Sequence, residues 1–282
     1  MLKQRLITAI ILLAVFAVTL VIPDPSAFAL LTLAFIAVAG WEWSRLNGLA
    51  GIKAYLLGGI IAIACTAMWI FNFTLPPVLW LLISIIWLLG APIILYAGGQ
   101  KWLQIPQSVR WLLGIFILCM AWLALWSAKL LGNNFLLSAL FLVWGADSGA
   151  YFFGKAFGKH KLAPKVSPGK SWEGAIGGVI TVGLLATAWV LLIDPAASAS
   201  TGSLSLFSLL LARWSWPGMF IAVLCLVGMS IVGDLTESLM KRSIGMKDSS
   251  QILPGHGGVL DRIDALLPVL PLIMALLFWG MR

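Results

Sequence analysis

The chain has 282 residues, 61% of them hydrophobic and 10% charged, with a formal net charge of +8. Its mean hydropathy of +1.04 lies far above that of water-soluble domains, and apolar runs near twenty residues recur along its whole length. A soluble globular domain is excluded. The pattern predicts an all-α, polytopic integral membrane protein, because a segment in lipid must satisfy its own backbone hydrogen bonds.

In chain order, nine spans are predicted over 5–22, 27–46, 54–72, 76–97, 109–130, 134–156, 173–193, 216–240 and 262–281. The first has the basic start of a signal peptide but is read as a retained span. Five spans make an N-terminal region, 1–130, and four make a C-terminal region, 131–282. With the N-terminus cytoplasmic, the outer segments hold only Lys129, Arg213 and Arg282, leaving fifteen of the 18 Lys and Arg residues inside. This basic face suits lipid head groups, nucleotides or other phosphates, and topology alone would also produce it. No internal repeat or inverted transporter repeat is visible. Cys65, Cys119 and Cys225 lie in apolar runs and read as small hydrophobes.

Asp24 and Asp194 stand beside prolines and read as turn formers. Glu42, in WEWSR, is expected to pair with Arg45 three residues on. The stretch 194–208 reads as an outer connector, and LLLARWSW after it as either an interfacial segment or a plain loop.

The basic stretch GKAFGKHKLAPKVSPGKSWEG (154–174) contains a GKS that does not make a P-loop. Pro164 stands where that motif needs glycine, and no strand is predicted before it. As a flexible loop beside the helix of Asp147 it can still bring Lys165, Lys170, Ser167 and Ser171 to phosphates. The alternative is a loop that only sets topology.

The last informative stretch is KDSSQILPGHGGVLDRID, Lys247 to Asp264. Asp147, Asp234, Asp261 and Asp264 come to similar inner depths on three separate helices. Asp261 and Asp264 share a helix face, as do Asp234, Glu237 and Ser238. An ion within a span costs about 2.5–3.5 kcal/mol on insertion scales, so such a group needs a reason. Two remain open: pairing with Lys241, Arg242 and Arg262, or a divalent cation of the Mg²⁺ kind completed by water and phosphate oxygens. The glycines of GHGG permit positive φ at the helix entrance. His256 is either a substrate or proton-handling group or a shaper of the loop.

The run SLMKRSIGMKDSSQILPGHGGVLDRID (238–264), together with GDLTES (233–238) and WGADSGAYFFGKAFGKHKLAPKVSPGKSWEG (144–174), resembles the signature of the phosphatidate cytidylyltransferases, or CDP-diacylglycerol synthases. The resemblance implies transfer of a cytidylyl group from CTP to phosphatidic acid at a bacterial cytoplasmic (inner) membrane, with the site on the cytoplasmic side. It implies Mg²⁺ as cofactor, with K⁺ as a candidate second cation, and a homodimer; nucleic acid is not an expected partner. It implies catalytic roles for Asp234, Asp261, Asp264 and Lys241, with the three aspartates as metal ligands. Substrate contacts are implied for Ser167, Lys165, Lys170, Arg242, Lys247, His256, Asp147 and Arg262. An ion-coupled transporter is the main rival, since intramembrane carboxylates also mark transport paths. A lipid-binding scaffold would leave the carboxylates without a purpose. The DGxxAR-type motif of the CDP-alcohol phosphotransferases is absent from the chain.

Overall fold

A computed structural model describes residues 2–278. Arg282 and the end of the expected ninth span lie outside the described residues. The helices are α1 (Leu2–Val21), α2 (Ser26–Leu46), α3 (Ile52–Ile70), α4 (Pro77–Ala97), the short α5 (Gly99–Gln104), α6 (Gln107–Leu130) and α7 (Asn133–Phe157). A hairpin of β1 (Lys161–Ala163) and β2 (Ser167–Ser171) leads into α8 (Trp172–Ala188). A π-helical turn, Trp189–Ile193, continues it into α9 (Asp194–Thr201). The chain ends with α10 (Leu206–Ser243), the single turn α11 (Leu260–Ile263) and α12 (Leu266–Phe278).

Among the described residues, seven helical segments are long and apolar enough to cross a membrane: α2, α3, α4, α6, α7, α8 with its extension, and α10. The apolar part of α1, Leu6–Val21, and the described part of α12 are shorter. The expected eighth span begins at 216, and α10 breaks there: Ser215 has φ +56° and Pro217 follows. The preceding LLLARWSW is helical up to this break.

A helix apolar on every side belongs in the interior. α12 meets that rule, with Leu266 through Ala275 all buried, whereas Leu56, Ile60 and Ile63 of α3 remain exposed on a face suited to lipid. α12 packs against α4, α10, α6 and α7, and the large buried side chains of the core include Phe28 and Trp43 of α2, Trp122 of α6, Phe135 of α7 and Phe207 of α10. The buried indoles keep their N–H groups satisfied: Trp122 donates to Thr32 Oγ1 (3.1 Å) and Trp43 to the Arg110 carbonyl (2.9 Å). Cys65 and Cys119 are buried with their sulfurs 3.8 Å apart, as expected of small hydrophobes, while Cys225 is exposed.

Small residues let α7 and α8 lie close together. A side chain added at Gly178 would come within 2.9 Å of the Ala146 carbonyl oxygen, and one at Gly174 within 2.8 Å of that of Ala150. The seam fixes the hairpin over the C-terminal half of α7, beside Asp147.

At the opposite end of α7 the expectation for Asp194 fails. It is no surface turn former but is buried, accepting from Asn134 Nδ2 (2.8 Å), Ser205 Oγ (2.6 Å) and Ser208 Oγ. Asp24 does act as expected and accepts from the Ser26 amide (2.9 Å).

Candidate active site

The predicted flexible loop is an ordered antiparallel hairpin, with Lys161 opposite Ser171 and Ala163 opposite Ser167. Its strands carry no alternation of apolar residues, so periodicity gives no strand signal. Glu173 holds its base, accepting from the amides of Lys159 (3.1 Å) and His160 (3.2 Å) and meeting His160 Nδ1 at 2.6 Å. Ser171 caps α8 by accepting from the Gly174 amide (3.1 Å). Lys170 is thereby presented to α10, where its ammonium lies 2.6 Å from Asp234 Oδ2.

α7, the hairpin, α8, α10 and the segment from α11 enclose a cavity of about 600 Å³, with Gly174, Ala175 and Gly178 of α8 in its wall. α7 contributes Asp147, the hairpin Ser167 and Lys170, and α10 Asp234 and Lys241. The segment from α11 onward contributes Asp261, Arg262 and Asp264. These eight sequence-derived residues are thus brought together. The other four do not line this cavity. Lys165 is exposed at the hairpin turn, and Arg242 donates to the Met246 carbonyl (3.2 Å). Lys247 lines a separate surface cavity with Arg45 and Asp248. His256 sits in the loop with its Nδ1 buried and without a hydrogen-bond partner among the described residues.

Within the cavity wall, Lys241 joins Glu237 and Asp261, the latter at 2.6 Å. Asp261 also accepts from Ser249 N (2.9 Å), Ser249 Oγ (3.0 Å) and Gly258 N (2.8 Å). One side chain therefore closes the loop 249–258 upon α10. Gly255 (φ +77°) and Gly257 (φ +84°) take the left-handed conformation anticipated for GHGG. Asp264 is buried and accepts from the Ala265 amide (2.8 Å), while Arg262 donates to the His256 carbonyl (2.7 Å). Asp147 makes no hydrogen bond to a described residue.

The expected Glu42–Arg45 pair does not form. Arg45 stacks over the Trp41 ring (4.7 Å to its centroid), and Glu42 turns inward, fully buried. It accepts from Ser250 Oγ (2.5 Å), Val259 N (3.0 Å) and Leu260 N (2.6 Å). Spacing within α2 cannot reveal partners more than 200 residues away. Lys155, which also lines the cavity, has a readable signal: it stands two helical turns after Asp147 on the same face of α7.

A second cavity, of about 410 Å³, adjoins the first. Its walls are apolar, with Phe16 of α1, Phe35 of α2, Trp122 of α6, Trp144 of α7 and Leu270 of α12. It shares Asp147, Asp261, Arg262 and Asp264 with the polar cavity. The pair of cavities offers an amphiphile a greasy compartment and a charged one with a common border.

For a metal the donors are right in kind, since Asp234, Asp261 and Asp264 carry hard carboxylate oxygens and line the same cavity. Among the described residues, however, no three His, Cys, Asp or Glu side chains converge on one cation position. Two of the three aspartates hold lysine ammonium groups instead.

A model of the Cytidylyltransferase family matches residues 3–279. The phosphatidate cytidylyltransferase of Pseudomonas aeruginosa is 40% identical, with 99% of each chain covered. That of Haemophilus influenzae is 36% identical over 96% of each chain, and that of Staphylococcus haemolyticus 31% identical over 98% of each.

Proposed function

This chain belongs to the cytidylyltransferase family, and from that premise we propose how its two cavities divide one reaction. The enzyme transfers a cytidylyl group from CTP to phosphatidate, giving CDP-diacylglycerol and pyrophosphate. A phosphate oxygen of the lipid attacks the α-phosphorus of CTP, a new P–O bond forms, and the bond to the bridging oxygen breaks as pyrophosphate leaves. The attacking oxygen is already anionic, so no protein base has to remove a proton. The obstacle is the meeting of two anions, which positioning and positive charge overcome.

The observation that carries this reading is the shared border of the cavities. Acyl chains suit the apolar compartment and the triphosphate suits the polar one, so the lipid phosphate meets the nucleotide beside Asp147, Asp261, Arg262 and Asp264. Lys170 and Lys241 are held by carboxylates until a polyphosphate offers them a denser anionic partner. Asp234 and Asp261 then become free to ligate, with Asp264 beside them, and these three are the proposed holders of Mg²⁺, with K⁺ as a candidate second cation. Held by these three, Mg²⁺ would supply charge neutralisation for the triphosphate and for the leaving pyrophosphate. Lys165, Arg242, Lys247 and His256 belong to the approach of the substrates and not to the cavity wall.

The proposal extends to a nine-span homodimer in a bacterial inner membrane, with the polar cavity on the cytoplasmic side. Crosslinking in membranes tests the dimer, which is abandoned if only monomers are trapped. Sealed vesicles test reaction and side together. Inverted vesicles should release pyrophosphate from added CTP only when phosphatidate and Mg²⁺ are both present, and right-side-out vesicles should not, because CTP does not cross the bilayer. Release without phosphatidate overturns the reaction, and release by right-side-out vesicles overturns the orientation.

A further inference from the structure

We infer that Glu42, on the second helix and outside both cavities, is a positioning residue for cytidylyl transfer, acting through the loop that carries Asp261. This rests on the reaction proposed above. Glu42 is 0% exposed, which for an isolated carboxylate in a membrane bundle would be prohibitive. It is tolerated because both oxygens are used. Oε1 accepts from Ser250 Oγ and Val259 N, and Oε2 from Leu260 N. The neighbouring amide, Gly258 N, donates to Asp261. Three successive amides at the end of the loop are therefore shared between two carboxylates, one structural and one in the site.

The division of labour has a geometric consequence. Asp261 grips Ser249 and Gly258 from inside the cavity, while Glu42 grips Ser250 and Val259, their next residues, from behind. The loop cannot shift relative to α2 without breaking the Glu42 contacts, so the Asp261 carboxylate inherits its place from a helix 200 residues earlier. Gly258 fits in this grip because it has no side chain: a Cβ there would collide with the Glu42 carboxylate and Ser249 Oγ. Neutral donors alone satisfy Glu42, so its role is to hold backbone and not to meet substrate.

The test compares Glu42→Gln, Glu42→Asp and Ser250→Ala with wild type in detergent, scored on monodisperse protein. Glu42→Gln keeps the size but turns an NH₂ toward an amide that needs an acceptor. Its kcat should fall by about a hundred-fold, as a roughly 1 Å misplacement of a catalytic group can produce, with the KM for CTP changed less than three-fold. Glu42→Asp keeps the charge and should recover part of that loss. Ser250→Ala removes one hydroxyl and leaves both amide contacts, so it should fold and lose kcat by about three- to ten-fold. In an Asp261→Asn background, Glu42→Gln should cost little more, because both act through one loop. A purely architectural Glu42 would instead lower the melting temperature and leave kcat of the folded fraction intact. If Glu42→Gln does not fold, a wild-type kcat in Ser250→Ala overturns the inference. Inactive wild type would count against the proposed reaction, not against Glu42.

Discussion

Asp194 and Asp261 lie at opposite ends of the helix bundle, and both are withdrawn from solvent. Asp194 is held by neutral groups, an asparagine amide and two serine hydroxyls, and no lysine or arginine approaches it among the described residues. Asp261 is held by an ammonium as well as by backbone and hydroxyl donors. The neutral cluster joins α7, α9 and the start of α10, and has nothing to exchange. The charged one contains Lys241, which in the proposed reaction changes partners when a phosphate arrives. In this pair the charge of the donors separates a fixed anchor from a group able to exchange partners; Glu42, also held by neutral donors, is fixed like Asp194 but fastened to the loop that carries Asp261.

The strongest way to break this comparison is Asp261→Asn. Glu237 still faces Lys241, so the bundle should assemble, but cytidylyl transfer should fall by about a hundred-fold or more and the remainder should need more Mg²⁺. Specific activity against Mg²⁺ concentration decides it, and near-normal turnover with an unshifted dependence would move Asp261 to the architectural class. A smaller effect is expected of Lys170→Ala. The side chain is 24% exposed and contributes little to the core, so the melting temperature should hold while the KM for CTP rises by about ten-fold. Initial rates at subsaturating CTP check this, and an unchanged KM would leave the hairpin without a phosphate role. The smallest effect on turnover belongs to Asp194→Asn. It should remove roughly 1–3 kcal/mol of stability through a donor placed where an acceptor is needed, yet leave the folded fraction fully active. Loss of kcat without loss of melting temperature would contradict the contrast.

Seven of the nine expected spans are legible in the sequence because hydrocarbon demands long apolar runs, whatever the tertiary packing. Of the eight expected residues that line the polar cavity, the aspartates and Lys241 stand out as charges in or beside apolar runs, whereas Ser167 and Lys170 stand out only as part of a basic stretch. What stayed hidden depended on distant partners. Asp194 beside Pro195 has the local chemistry of a turn, and only Asn134 on α7 together with Ser205 and Ser208 at the start of α10 makes it a buried anchor. Glu42 three residues before Arg45 has the spacing of a surface pair, and only the loop at 250–260 turns it inward. The hairpin escaped because Lys, Ser, Pro and Gly carry no periodicity, and Glu173 and the α7–α8 seam stabilise it instead.

The break at Ser215 sets a measure for α10. From Trp216 to Ser243 an unbroken helix is about 42 Å long, against about 30 Å of hydrocarbon. With Trp214 and Trp216 at one interface, where such rings settle, about two turns remain over at the far end. Those surplus turns carry Glu237, Lys241 and Arg242. Overhang then adds to the burial and pairing of Glu237 and Lys241 in making so charged a segment compatible with insertion. Deleting one turn between Trp216 and Asp234 would draw the ion pairs into the acyl region, while the same deletion before Ser215 would leave their depth unchanged.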